Sequence, residues 1–86
     1  MSLNLHLLRL FDAVARHGSF SRAAEELHVS QPAVSKGVRE FEAQIAAPLF
    51  ERGPGGVRLT EAGEVMVRHA QAVFAAERAA EEDLAA

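Results

Sequence analysis

Gln31, Pro32, Ser35, Lys36 and Arg39 place an amide, a pyrrolidine ring, a hydroxyl and two cations within one short segment. Val34, Val38, Phe41 and Ile45 recur among them at spacings of four, three and four. At about 100° per residue, those four apolar side chains fall within an arc of roughly 60°. Pro32, Ser35, Lys36 and Arg39 then lie on the opposite side of the helix. Side chains of this kind can address the edges of nucleic-acid bases. A glutamine amide bonds adenine through two hydrogen bonds, a lysine donates to guanine O6 and N7, and an apolar ring meets the thymine methyl. Gln31, Pro32, Ser35 and Lys36 are therefore the candidate base-reading set. Arg39, one turn further on, is within reach of phosphate. A solvated helix face with a capping residue is the competing reading, and polarity alone does not separate the two.

A second set of residues suits phosphate. Ser19, Ser21 and Ser30 fall where helices should start, and free N–H groups and the helix dipole attract anions there. Capping by these hydroxyls is compatible with a phosphate contact. Arg22 adds a cation in the same region. Arg52 and Arg58 flank the glycine-rich stretch Gly53-Pro54-Gly55-Gly56. Arginines at a hairpin tip can contact the DNA backbone or the minor groove, or simply keep an exposed hairpin soluble.

Other chemistries lack their residues. With no cysteine, the chain has no thiolate zinc site, disulfide scaffold or thiol nucleophile. His6, His17, His28 and His69 show no metal-ligand spacing. No Ser-His-acid order stands out, and the 53–56 loop lacks the lysine of a phosphate-binding loop. Neither an enzyme nor a metal or other cofactor is expected. Without Trp or Tyr, a base-stacking platform is disfavoured. The apolar runs fall far short of the ~20 residues that span a bilayer, and Arg9 and Asp12 interrupt the N-terminal run, unlike a signal peptide. A cytoplasmic protein with no membrane partner is expected.

The net charge of -3 is unevenly distributed. Residues 1–60 carry +1 and residues 61–86 carry -4, so the overall acidity says little about the basic face described above.

The elements that must position these residues follow from periodicity and punctuation. Leu7, Leu8, Phe11, Val14 and Ala15 predict a helix over 5–17, stopped by Gly18. Ser19 caps a short helix over 20–27, with Ser21 as the alternative start. Residues 28–30 connect it to the third helix, which Ser30 or Gln31 caps and which carries Pro32 in its first turn. Pro48 ends that helix. Residues 49–52 and 57–60 read as strands around the glycine-rich loop. Thr60 caps a long helix that reaches at least Leu84. Met66, Ala70, Val73, Ala76, Ala80 and Leu84 form one apolar stripe on it, widened by Val67 and Phe74. The stripe is longer than a small three-helix core can cover, so its first part should pack on the domain and the rest on a partner helix; Met66, Ala70, Val73, Phe74, Ala80 and Leu84 are the candidate dimer residues. A frayed, solvated end is the alternative. The order is that of a mostly α winged helix-turn-helix with a long C-terminal linker helix.

The stretch from Gly18-Ser19-Phe20-Ser21-Arg22-Ala23-Ala24 through Ser30-Gln31-Pro32-Ala33-Val34-Ser35-Lys36 resembles the N-terminal domain of LysR-type transcriptional regulators. So do Pro48-Leu49-Phe50-Glu51-Arg52 and Leu59-Thr60-Glu61-Ala62-Gly63. The resemblance runs from Leu5 to about Phe74. It implies bacterial transcription regulation by a homodimer or tetramer, with the linker helix pairing two DNA-binding domains. It also implies a separate effector-sensing domain, which these residues do not include. Residues 1–60 are then the DNA-binding domain and 61–86 the linker and dimerisation helix. Three positions depart from the family pattern. Ala46 stands where glycine is usual, predicting a different helix end. Lys36 replaces the common arginine and loses its bidentate fork. Gly37 replaces the common glutamine and removes a polar contact.

The expected partner is double-stranded DNA, read by the third helix in the major groove and held by the hairpin. The rival is a winged-helix module that binds protein through its apolar stripe, for which the net negative charge speaks.

Overall fold

Each helix begins at a side chain that accepts a hydrogen bond from an otherwise free backbone N–H. In the structure, a computed structural model that describes residues 2–85, the elements run α1 Leu5–His17, α2 Phe20–Leu27, α3 Gln31–Ile45, β1 Phe50–Gly53, β2 Gly56–Leu59 and α4 Glu61–Ala85. The outermost residues of the two expected domains, Met1 and Ala86, lie outside the described residues. Asn4 Oδ1 accepts from Leu7 N at 3.0 Å, Ser19 Oγ from Arg22 N at 3.2 Å, and Ser30 Oγ from Ala33 N at 3.2 Å. Thr60 Oγ1 accepts from Gly63 N at 3.0 Å and donates to the Pro48 carbonyl at 2.7 Å. Ser21 is not the cap of α2. It lies inside the helix, with its hydroxyl 3.2 Å from that of Ser19.

The first three helices end in left-handed residues: Gly18 (φ 63°), His28 (φ 56°) and Ala46 (φ 62°). Ala46 thus corrects the expectation of a different end for α3. An alanine there costs about 1 kcal/mol relative to glycine. The Ala47 N–H offsets this by donating to the Glu42 carbonyl at 3.2 Å. The Glu42 carboxylate, in turn, accepts from Leu49 N at 2.7 Å and Phe50 N at 3.3 Å. One residue therefore fixes both the helix end and the entry into β1.

The strands pair antiparallel as Phe50↔Leu59, Glu51↔Arg58, Arg52↔Val57 and Gly53↔Gly56. The ladder is displaced by one residue from the expected spans, and the turn shrinks to Pro54-Gly55. Gly56 allows this by taking φ 105°, a value that side chains resist.

Phe11 of α1 lies at the centre of the core. Its ring centroid is 6.0 Å from that of Phe41 and 5.2 Å from that of Phe50. Leu8, Val14, Val34, Val38 and Leu49 are fully buried around it. Val34, Val38 and Phe41 confirm the inward face of α3, whereas Ile45 at its end is half-buried. Gly37 also faces inward, correcting its expected place among polar contacts: a Cβ there would run into the Leu10 side chain. Gly63 lets α4 approach β1 so closely that a Cβ would overlap the Leu49 carbonyl oxygen.

The first half of α4 belongs to this same core. Ala70 and Phe74 are buried, and Met66, Val67 and Val73 pack against the cluster. Two expected partner-facing residues, Ala70 and Phe74, are thus turned inward by the domain's own α1. The packing also runs across the expected domain boundary at residue 60. Residues 75–85 are exposed throughout, Leu84 at 86%. Among the described residues, no helix is long and apolar enough to cross a membrane.

Candidate nucleic-acid interface

Because Val34, Val38 and Phe41 anchor α3 by one side, its other side is presented to solvent. Gln31, Pro32, Lys36 and Arg39 are exposed and Ser35 is half-buried. Neither Lys36 nor Arg39 forms an ion pair among the described residues. Glu42, three positions after Arg39, is the acid best placed on the helix surface to neutralise it, but it is engaged by the Leu49 and Phe50 N–H groups. The polar face of α3 thus keeps two unpaired cations.

The N-terminus of α2 carries Ser19, Ser21 and Arg22, and Arg22 is likewise outside the ion pairs of the described residues. Phe20, the first residue of α2, packs edge-on against Phe50 with ring centroids 6.0 Å apart. This contact brings the start of α2 beside the hairpin. At the other end of α2, the three-residue connection His28-Val29-Ser30 leads to α3, with Ser30 as its cap.

The register separates the two hairpin arginines. Arg52 opposes Val57 and lies two residues from buried Phe50, on the inner face of the ladder. Its guanidinium carbon sits 4.8 Å from the Phe20 ring centroid. Arg58 opposes Glu51 on the outer face, and the charges approach only to 3.9 Å. Both were expected to flank the loop, with Arg52 the better placed for contact; in the structure the two have different environments.

Other arginines are committed to structure. Arg16 Nε donates to Asp12 Oδ2 at 3.0 Å, and its two terminal nitrogens donate to Glu26 at 2.7 and 2.6 Å. His17 Nε2 lies 2.7 Å from Glu26 Oε1. The Arg16 hydrogen bond, followed by that to His17, holds the Glu26 carboxyl at about 2, and the same contact with Glu26 raises Arg16 above its ordinary value. This network ties α1 to α2 and gives buried Asp12 its partner. Arg9 lies 4.4 Å from the Phe74 ring centroid and 3.0 Å from both Glu77 oxygens, tying α1 to α4.

Sequence reasoning missed Asp12, Phe20, Glu26 and Glu42 as positioning residues. An acid on the apolar face of a helix, with arginine four residues on, was a readable sign for Asp12 and Arg16. The contacts of Phe20 and Glu42 join separate elements and leave no local signal. No cluster of three or more candidate metal ligands occurs among the described residues.

A family model described as "Bacterial regulatory helix-turn-helix protein, lysR family" matches residues 5–64. The chain is 51% identical over 84 residues to the RuBisCO operon transcriptional regulator of Allochromatium vinosum, covering 98% of this chain and 28% of that protein. It is 47% identical over 85 residues to the transcriptional regulator CfxR of Cupriavidus necator, covering 99% of this chain and 27% of the relative. Among solved structures, the DNA complex of the CbnR DNA-binding domain superposes with a TM-score of 0.82 at 34% identity, covering 95% of each chain. The chain therefore spans less than three tenths of the curated relatives' length and almost all of an isolated DNA-binding domain. The matched segment includes the capped α2, the exposed face of α3 and the hairpin, and the chain belongs to the LysR family of bacterial regulatory helix-turn-helix proteins.

Proposed function

We propose that this domain binds duplex DNA as the reading head of a LysR-type transcriptional regulator. The observation that carries the reading is α3: Val34, Val38 and Phe41 anchor one side, while Gln31, Pro32, Lys36 and Arg39 stay exposed, with both cations unpaired among the described residues. Gln31, Pro32, Ser35 and Lys36 read base edges in the major groove. Ser19, Ser21, Arg22, Ser30 and Arg39 face the phosphates, and Arg52 and Arg58 hold the flanking backbone or minor groove.

The active form is a homodimer in which the exposed part of α4, with Ala80 and Leu84, pairs with its counterpart; Met66 and Val73 border that surface. Residues 1–60 supply the DNA contacts and 61–86 the link between heads, with the root of α4 shared by both units. A full-length regulator would assemble dimers or tetramers in the cytoplasm and sense a small molecule through a further domain.

A salt titration of duplex binding tests the reading. The probe is a duplex from the control region of the Allochromatium vinosum RuBisCO operon, beside a random duplex. Binding should weaken linearly on a log–log plot, with a slope near -0.9 for each phosphate engaged. Lys36→Ala should cost about 1–3 kcal/mol on the preferred duplex and much less on the random one. A domain that binds neither duplex even at low salt is a protein-interaction module instead.

A further inference from the structure

Arg9, Arg16 and Arg58 are each accompanied by a carboxylate. Arg52 is held in another way. Its guanidinium rests 4.8 Å from the centroid of the Phe20 ring, and no ion pair engages it among the described residues. Phe20 is itself fixed: it is 9% exposed, and its ring meets that of Phe50 in an edge contact. Phe50 and Arg52 project from the same face of β1, so one ring serves both the core and the cation. A carboxylate would restrain the guanidinium but cancel its charge. An aromatic face attracts the cation through the ring quadrupole and leaves the charge and the in-plane N–H groups free for an acceptor.

We propose that Phe20 is a positioning residue for DNA binding: its ring presets the Arg52 guanidinium beside the α2 N-terminus, ready for the strand that passes there. The inference rests on the DNA-binding reading above. It assigns Arg52 and Arg58 unequal roles, since Arg58 has Glu51 opposite and, among the described residues, no ring beneath it.

A double-mutant cycle on duplex affinity tests this, using wild type, Phe20→Leu, Arg52→Ala and the double variant, all confirmed folded by circular dichroism at the assay temperature. Phe20→Leu should weaken binding roughly two- to five-fold when Arg52 is present. In the Arg52→Ala background it should have no effect, and Phe20→Tyr should bind as wild type. Pentafluorophenylalanine at position 20 keeps the ring and reverses its quadrupole; it should weaken binding as leucine does, and it serves in place of leucine if that variant unfolds. In the free protein, the Arg52 Cδ protons should show an upfield ring-current shift that Phe20→Leu abolishes. Equal losses in both Arg52 backgrounds would mean that Phe20 acts through the fold alone, and would overturn the proposal. Absence of duplex binding by wild type defeats the DNA-binding reading itself, and the proposal with it.

Discussion

The carboxylates of the first three helices differ in what they hold. Glu42 is spent on two backbone N–H groups at the entry to the hairpin, and among the described residues Arg39 has no acid partner. Glu26 and Asp12 are spent on Arg16, which joins α1 to α2. The second arrangement has a pH signature. Glu26 is held at about 2 against an ordinary 4.5, chiefly by the Arg16 hydrogen bond. The unfolded chain takes up its proton first, so the stabilisation is complete above pH 4.5 and is lost as pH falls toward 2. Its side chain is about a third exposed, and screening by solvent limits the contribution to about 1 kcal/mol. Thermal melts between pH 7 and pH 3 should show wild type losing more than half of that margin. Glu26→Gln should start about that much less stable at pH 7 and show a flatter acid limb. A variant with an unchanged acid limb would show that other carboxylates govern acid sensitivity.

At the scale of elements, the helix starts were legible because capping is local. Ser19, Ser30 and Thr60 announce three helices within their own first turns, and Gly18 announces a stop. The hairpin was displaced by one residue because its register depends on Gly53 and Gly56 pairing across a two-residue turn. Ala46 was misread because glycine preference was taken as decisive, whereas capping bonds from the residues that follow to Glu42 sustain a left-handed alanine. Gly37 was misread although the phase of α3 already puts it beside Phe41, about 40° from that residue; in the structure it is buried against the Leu10 side chain. The phase of α3 was legible from Val34, Val38 and Phe41 alone, and the whole recognition face depends on it. Phe41 is fully buried against Phe11. Phe41→Ala should therefore cost about 3–5 kcal/mol. A domain this small has a stability near ~5 kcal/mol, so circular dichroism should show a largely unfolded chain. DNA binding would be lost with the helix, although no contact to DNA is removed. A variant melting like wild type would mean that α3 is rotated, and its groove-facing residues would have to be reassigned.

The whole molecule separates its charges and its tasks. Residues 1–60 carry +1 and the α4 region carries -4, so the net acidity lies in α4 and not in the first three helices and the hairpin. The longest dimension is 46 Å, and the 25 residues of α4 account for about 38 Å at 1.5 Å each. Arg9, clamped between Phe74 and Glu77, sets where α4 leaves the core. The apolar stripe and its division between the domain and a partner were legible from sequence, but the place of the division was not: burial of Ala70 and Phe74 depends on where α1 lies. Sedimentation should therefore show a dimer that Leu84→Glu, with or without Ala80→Glu, shifts toward monomer while the melting temperature of the head is retained. A wild-type chain that remains monomeric at high concentration would remove the dimer from the account.

In the proposed reading, α3, the start of α2 and the hairpin together form the DNA-binding surface. Backbone amide chemical shifts, followed as duplex DNA is added to the labelled domain, check this residue by residue. The largest changes are expected at residues 31–39, with further changes at 19–22 and 52–58, and small ones along 75–85. Changes confined to α4, or none at low salt, would contradict it.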